Sequence, residues 1–200
     1  MSTAIIGFGS IGHALAKAFA RKGIEVSVAT TRDPESFASE AAAIGPTIRA
    51  TTLEEAIKAD VIFLAVRFEQ HEDVGKALPS WQGKTIVDVT NVYGVPPEQL
   101  VDLPSSAFVA KSFRGARLVK GFNHLIAATL ATDPVVESGH RVVFLSSDDE
   151  DAIEPVAALA KQLGFAPVNL GKLSEGGALV HARGRTWGRL IFQDLFKKEP

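Results

Sequence analysis

Three glycines open the chemistry of this chain. Gly7, Gly9 and Gly12 stand at the spacing G-x-G-x-x-G, with Phe8, Ser10 and Ile11 between them. In that pattern the first glycine allows a tight turn, the second lets the backbone approach a pyrophosphate, and the third lets a helix pack closely on a strand. The first N–H groups of the following helix lack partners within it, and the helix dipole makes them a seat for an anion. A second group, Thr30-Thr31-Arg32, stands one strand further on. Sites for the unphosphorylated dinucleotide place an Asp or Glu there to hold the ribose hydroxyls. Here a guanidinium and two hydroxyls are suited to a 2′-phosphate, which a carboxylate would repel. The residues therefore favour NADP(H). Asp33 is the contrary sign, but before Pro34 it suits a helix N-cap with proline in the first turn.

The other candidate groups are sparser. His124 follows a strand end, and its ordinary pKa range suits proton exchange; structural hydrogen bonding beside a helix is the competing reading. Asn123 precedes it. His13, His71, His140 and His181 have no partners at ligand spacing, so no metal site is expected. The chain has no cysteine, which excludes disulfides, thiolate metal sites and thiol catalysis, and fits a cytoplasmic protein. Arg183, Arg185 and Arg189 make a basic cluster that would meet an acidic cofactor tail, a partner chain or only water. Trp81 and Trp187 read as packing aromatics, with Trp187 placed to cover a ring pocket.

The elements that must position these groups alternate strand and helix. Ala4–Ile6 and Ile24–Ala29 are strands around a helix from Ala14 to Arg21. Residues 34–44 are helical, with Phe37, Ala41 and Ile44 on one face. A strand over Thr47–Thr51 leads to Thr52, which caps a helix over Leu53–Lys58. Asp60–Val66 and Lys84–Val89 are continuous apolar runs, the habit of parallel strands buried on both faces. Between them Gln70–Leu78 is helical. The stretch from Val92 to Arg114, with Gly94, Pro96, Pro97 and Pro104, is irregular, as loops beside a site often are. Arg117–Phe122, Arg141–Leu145 and Ala166–Leu170 are further strands, and Leu125–Ala131 and Ala152–Leu163 further helices. The tail, with Leu179, Val180, Leu190, Ile191, Phe192, Leu195 and Phe196 at partly helical spacings, is expected to pack on the sheet or a second subunit.

The fold class is thus α/β: a mostly parallel, doubly wound Rossmann-type sheet over residues 1–170, with a short appendage over 171–200. Length, 200 residues, suits one such domain. A hydrophobic share of 46% and a charged share of 22% are ordinary for a soluble protein. A net charge of −2 gives no basic field for nucleic acid. No apolar run is long enough to span a bilayer, and no basic stretch precedes an apolar one at the start.

Read in order, Ile6–Gly12, Thr31-Arg32, Leu64-Ala65-Val66, Asp88–Asn91, Val119–Asn123, Ser147–Asp149, Leu163–Phe165 and Leu173–Gly177 resemble the NADP oxidoreductases that depend on the deazaflavin coenzyme F(420), and their bacterial relatives. The resemblance covers nearly the whole chain. It extends to the cytosolic half of membrane ferric reductases and, more distantly, to pyrroline-5-carboxylate and imine reductases. It implies that Ser10 and Ile11 contact the pyrophosphate and that Thr31 and Arg32 hold the 2′-phosphate. Ala65, Val66 and Arg67 would flank the ribose and nicotinamide, with Asn91 near the ring and Asn123 beside the second ring system. The chain departs from the family pattern at Ser36, Arg67, Val92 and His124, where the family often has Lys, Pro, Pro and Thr. Three of these lie near the presumed ring pocket.

The resemblance implies hydride transfer between the nicotinamide and a deazaflavin, a flavin or a similar soluble acceptor, in the cytoplasm, with a homodimer as a compatible assembly. Such a transfer is the cofactors' own chemistry and asks the protein for position. Two other readings stay open: an NADP(H) sensor without turnover, and a small imine or carbonyl reductase completed by dimerisation with His124 as proton donor.

Overall fold

The computed structural model describes residues 1–93, 95–100, 103–183 and 186–198. Gly94 and Arg185 lie outside the described residues. The chain opens with β1 (Thr3–Ile6), α1 (Ser10–Arg21), β2 (Val26–Ala29), α2 (Ala38–Ile44), β3 (Ile48–Ala50), α3 (Leu53–Ala56) and β4 (Val61–Leu64). There follow α4 (His71–Gly75), β5 (Thr85–Asp88), α5 (Pro97–Leu100), α6 (Ser105–Ser112), β6 (Arg117–Gly121) and α7 (Ala127–Leu130). Last come β7 (Val135–Val136), β8 (Gly139–Ser146), α8 (Glu150–Gln162), β9 (Ala166–Asn169), β10 (Ala182–Arg183), β11 (Thr186–Trp187) and β12 (Phe196–Lys198).

Alternate residues of the central strands face two different cores. Ile5, Phe63 and Val87 join one, with Leu15 and Phe19 of α1 and Val156 and Leu159 of α8. Ala4, Ile6, Ile62, Leu64 and Ile86 join the other, with Ala56 of α3, Trp81 and Val109 of α6. A strand apolar on both faces must be covered on both, and helical crossovers supply the covers. Full burial of one such Ile or Phe contributes about 1.5–3 kcal/mol, so the two layers fix strand register as well as stability.

Six strands are parallel in the order β3-β2-β1-β4-β5-β6. The order reverses between β1 and β4, and a crevice opens at the carboxyl ends of strands at such a switch point. Beyond β6 the sheet changes character: β8 pairs antiparallel with β6, β9 runs parallel to β8, and β7 and β12 pair antiparallel with β8.

Several local expectations hold with shorter bounds. Asp33 accepts from the Glu35 N–H at 3.4 Å with Pro34 opening a 3-10 turn, and Thr52 caps α3 by accepting from the Glu55 N–H at 3.2 Å. The helical spacing in the tail does not become an α-helix. Residues 176–180 form a 3-10 turn, β10 and β11 a hairpin, and Phe196–Lys198 the strand β12. Arg141 is the physical reason. Its Nε donates to Asp194 at 2.7 Å and its guanidinium lies 5.2 Å from the Phe196 ring centre, which draws this segment out along β8.

Candidate cofactor cleft

The three glycines differ in what they spare. At Gly7, φ is +104° and a Cβ would stand 2.3 Å from the Ala65 carbonyl oxygen. At Gly12 a Cβ would stand 2.0 Å from the Gly7 carbonyl oxygen. Both are therefore required by the protein itself, one by the turn against β4 and one by the seating of α1. Gly9 is different: it precedes α1 with φ −85°, and a Cβ there would meet nothing within 4 Å. The space beside it is open and belongs to a cleft of about 930 Å³. Gly9, Ser10 and Ile11 form its floor at the start of α1, whose first turn carries no acidic residue to oppose an anion. Phe8 is buried behind the turn, its ring stacked on His13 at 3.9 Å.

Thr30, Thr31 and Arg32 follow β2, alongside the cleft and not on its wall. Thr30 Oγ1 accepts from the Arg32 N–H at 2.9 Å, which turns the chain so that the Arg32 side chain projects into water. The guanidinium is oriented from two sides. It lies 5.1 Å from the Phe37 ring centre and donates to Glu40 at 3.3 Å. The other oxygen of Glu40 meets His13 Nε2 at 2.9 Å. Sequence reasoning did not single out Glu40; only its place on α2, facing Arg32, exposes it.

At the far end the cleft changes chemistry. Ala65, Val66 and Arg67 line it after β4, and Val89, Thr90 and Asn91 after β5. Leu125, Ile126 and Ala127 close the side toward α7, with Tyr93 and Phe192 at the mouth. A buried ion pair holds this end in place. Lys120 Nζ donates to Asp88 at 3.0 Å and to the Thr90 carbonyl, and Asp88 accepts from the Thr90 N–H at 3.0 Å and its hydroxyl at 2.7 Å. Burial lowers the Lys120 pKa, and the facing Asp88 carboxylate opposes that shift. Asn91 Nδ2 donates to the Asn123 carbonyl at 2.7 Å, and Asn123 Nδ2 donates to Asn91 Oδ1 at 3.1 Å and to the Val180 carbonyl at 2.6 Å. Phe122, with φ +60°, is locked between Phe63 and Phe165 and turns the chain so that Asn123 faces Asn91.

Asn91 therefore reaches the cleft, and Asn123 supports it from behind. His124 does not reach it. The ring is wholly buried, its centre 4.6 Å from that of Phe144, and neither nitrogen makes a hydrogen bond of ordinary geometry. Burial pushes its pKa down to about 4, and the Asp194 carboxylate and the Val142 backbone offset only part of that. Its backbone, not its side chain, serves the cleft: the His124 carbonyl accepts from the Phe192 N–H at 2.7 Å. Sequence reasoning missed much of the wall, including Val89, Thr90, Leu125, Ile126, Tyr93 and Phe192. Tyr93 had a signal, being two residues past Asn91 on a strand-end loop; Phe192 had none.

Among the described residues no cluster of acidic and imidazole groups could hold a metal, and no helix is long and apolar enough to cross a membrane. A 3-2-1-4-5-6 parallel sheet with a glycine turn opening α1 at the switch point defines a dinucleotide-binding domain. Residues 2–92 match the family described as NADP oxidoreductase, coenzyme F420-dependent, so the chain carries an NADP-binding oxidoreductase domain of that kind over those residues. It is 31% identical over 173 residues to metalloreductase STEAP3 of Rattus norvegicus, which covers 85% of this chain and 34% of that protein. The chain thus spans about a third of the length of the metalloreductases it matches. The crystal structure of hypothetical protein SMa0349 from Sinorhizobium meliloti superposes with a TM-score of 0.91 at 37% identity, covering 99% of this chain and 96% of that one. A reductive aminase from Aspergillus terreus in complex with NADPH and ethyl levulinate shares the fold, with a TM-score of 0.60 at 23% identity over 87% of this chain and 56% of that one.

Proposed function

We propose that this domain transfers hydride between NADP(H) and a flavin, a deazaflavin or a similar soluble acceptor, with no side chain acting as acid or base. The observation that carries the proposal is Gly9. The fold itself does not need a glycine there, since a Cβ would meet open space, yet a pyrophosphate lying on the start of α1 would fill that space. The residues around it fit the group. The free N–H groups of Ser10 and Ile11 would hold the pyrophosphate, Thr31 and Arg32 the 2′-phosphate, and Ala65, Val66 and Arg67 the ribose beyond. Asn91, fixed by Asn123, would orient the carboxamide of the nicotinamide.

When bound, the nicotinamide supplies a hydride, and the acceptor takes up that hydride together with a proton from water. The protein's part is placement. Lys120 and Asp88 hold the end of β5, so that Thr90 and Asn91 cannot drift from the reacting ring. Val66, Val89 and Ile126 give that end of the cleft an apolar wall. The core position of His124 weighs against the small imine or carbonyl reductase, for which it was the candidate proton donor.

The test is equilibrium binding of NADPH and NADH to the protein and to Arg32→Ala, followed by the addition of riboflavin and of a deazaflavin to the NADPH complex. A guanidinium on a phosphate contributes about 1.5–3 kcal/mol, so Arg32→Ala should weaken NADPH roughly ten- to a hundred-fold and leave NADH unchanged. Oxidation of NADPH by either ring supports the proposal. Equal binding of NADH removes the role given to Arg32, and tight NADPH binding with no oxidation makes the domain a sensor.

A further inference from the structure

The first turn of α1 carries a histidine that hydride transfer leaves unused. His13 is held on three sides. Its ring stacks on Phe8, with centres 3.9 Å apart and planes 16° from parallel. Its Nδ1 lies 3.0 Å from the Gly9 carbonyl oxygen, and its Nε2 lies 2.9 Å from Oε1 of Glu40 on α2. A carbonyl and an ionised carboxylate can only accept, whereas a neutral imidazole has one N–H to give. Both contacts are satisfied together only when the ring carries both protons.

Glu40 joins this histidine to the residue that chooses the cofactor. Its other oxygen meets the Arg32 guanidinium at 3.3 Å. The side chains of His13, Glu40 and Arg32 are 28%, 43% and 49% exposed, so their charges are screened by water but not removed by it. Around His13, Glu40 faces it from α2, Arg32 stands behind Glu40 on the loop after β2, and Lys17 shares its face of α1 four residues on. The turn Gly7–Ser10 adds no ionisable side chain. With an imidazolium at His13, the three linked groups leave one positive charge uncancelled beside Arg32. With a neutral imidazole they leave none.

We propose that His13 is a specificity-determining residue that acts through Glu40. Charged, it draws the Glu40 carboxylate to itself and leaves Arg32 to the 2′-phosphate. Neutral, it leaves that carboxylate facing both the guanidinium and the phosphate. The phosphorylated dinucleotide is thereby preferred over the unphosphorylated one more strongly in acid than in alkali. The inference rests on the reading that Arg32 holds the 2′-phosphate, and goes beyond it by making that choice depend on a proton. A mere staple of α1 to α2 would use the same contacts but would bear equally on both nucleotides.

The test titrates NADP⁺ and NAD⁺ calorimetrically into wild type, His13→Gln, Glu40→Gln and Arg32→Ala. The ratio of the two Kd values is read at about pH 5.5 and about pH 8.5, which bracket the range in which imidazoles change charge. A phosphate monoester gains its second charge near pH 6 and moves the ratio in every variant, so the signal is wild type against His13→Gln. At the lower pH wild type should prefer NADP⁺ roughly three- to five-fold more than His13→Gln does, the reach of one exposed charge. At the higher pH the two should agree within about 1.5-fold. Glu40→Gln should exceed the wild-type preference by roughly three- to five-fold at the higher pH and match it within about two-fold at the lower. A difference between wild type and His13→Gln that is the same at both pH values would overturn the role of His13 and leave it a staple. Loss of NADP⁺ preference in Arg32→Ala would keep the phosphate reading even then. An unchanged ratio in Arg32→Ala would end that reading and this inference together.

Discussion

The two ends of the cleft are built by opposite means. The phosphate end is backbone: the turn from Gly7 to Gly12 and the start of α1, all within a dozen residues, with one projecting guanidinium beside it. The ring end is side chains, drawn from the ends of β4 and β5, the loop after β6 and the tail. A backbone site depends on what is absent, a Cβ or a carboxylate. A side-chain site depends on scaffolding far from the ligand. Substitutions at Gly9 and Arg32 should therefore separate binding from stability, whereas those behind the second end, and at Gly12, should entangle them.

The largest effect is expected behind the ring end. Lys120→Met leaves the Asp88 carboxylate buried without its cation and should lower unfolding free energy by about 3–5 kcal/mol in urea titration. The double variant Lys120→Met/Asp88→Leu should recover most of that loss. A single variant as stable as wild type would mean that the pair does not hold the strand end.

His124 makes a comparable prediction in pH. Its ordinary pKa of 6.5 applies to the unfolded chain, and burial lowers it to about 4 in the folded one. Between these values the unfolded state binds a proton that the folded state refuses. The stability it contributes is complete above pH 6.5 and is lost as pH falls toward 4, by about 3 kcal/mol in all at roughly 1.4 per pH unit. His124→Leu should flatten this part of the stability profile and leave NADPH oxidation at pH 7.5 within about three-fold of wild type. Loss of turnover with NADPH binding retained would restore His124 as a proton donor.

The glycines give the sharpest contrast at the phosphate end. Gly12→Ala forces a methyl into the Gly7 carbonyl and should destabilise the fold by about 1–3 kcal/mol as well as weaken NADPH. Gly9→Ala should melt within a degree or two of wild type and still bind NADPH at least roughly ten-fold less tightly, or about 1.4 kcal/mol. Equal affinity in Gly9→Ala would place the pyrophosphate elsewhere. The smallest effect is expected at Glu40, which competes for Arg32 from an exposed position. Glu40→Gln should tighten NADPH no more than about five-fold, as the 0.2–1 kcal/mol of an exposed pair allows, with NADH unchanged.

This division also explains what could be read from the chain. The glycine turn, the capping of α3 by Thr52 and the buried strands β4 and β5 are local or periodic, so adjacent residues encode them. Gly9 was legible because the turn and the helix start around it are written in adjacent residues. Phe192 was not: its position depends on a hydrogen bond to His124, sixty-eight residues away. The tail misled for a related reason. Its apolar spacing admits a helix, but the Arg141–Asp194 bridge is tertiary and selects a strand. His124 stood at a strand end, where function concentrates, yet the left-handed turn at Phe122 precedes a loop that buries the ring behind the cleft.

The tail is fastened to the domain by main-chain bonds, Phe192 N–H to His124, Leu190 N–H to Leu179 and β12 along β8, together with the Arg141–Asp194 bridge. The main-chain bonds do not depend on which side chains the tail displays at its exposed positions. Positions 187 and 192 can therefore diverge by point mutation without loosening the fold or the glycine turn. Over generations the exposed face of the tail can therefore change while the glycine turn and the cleft behind it stay built as they are.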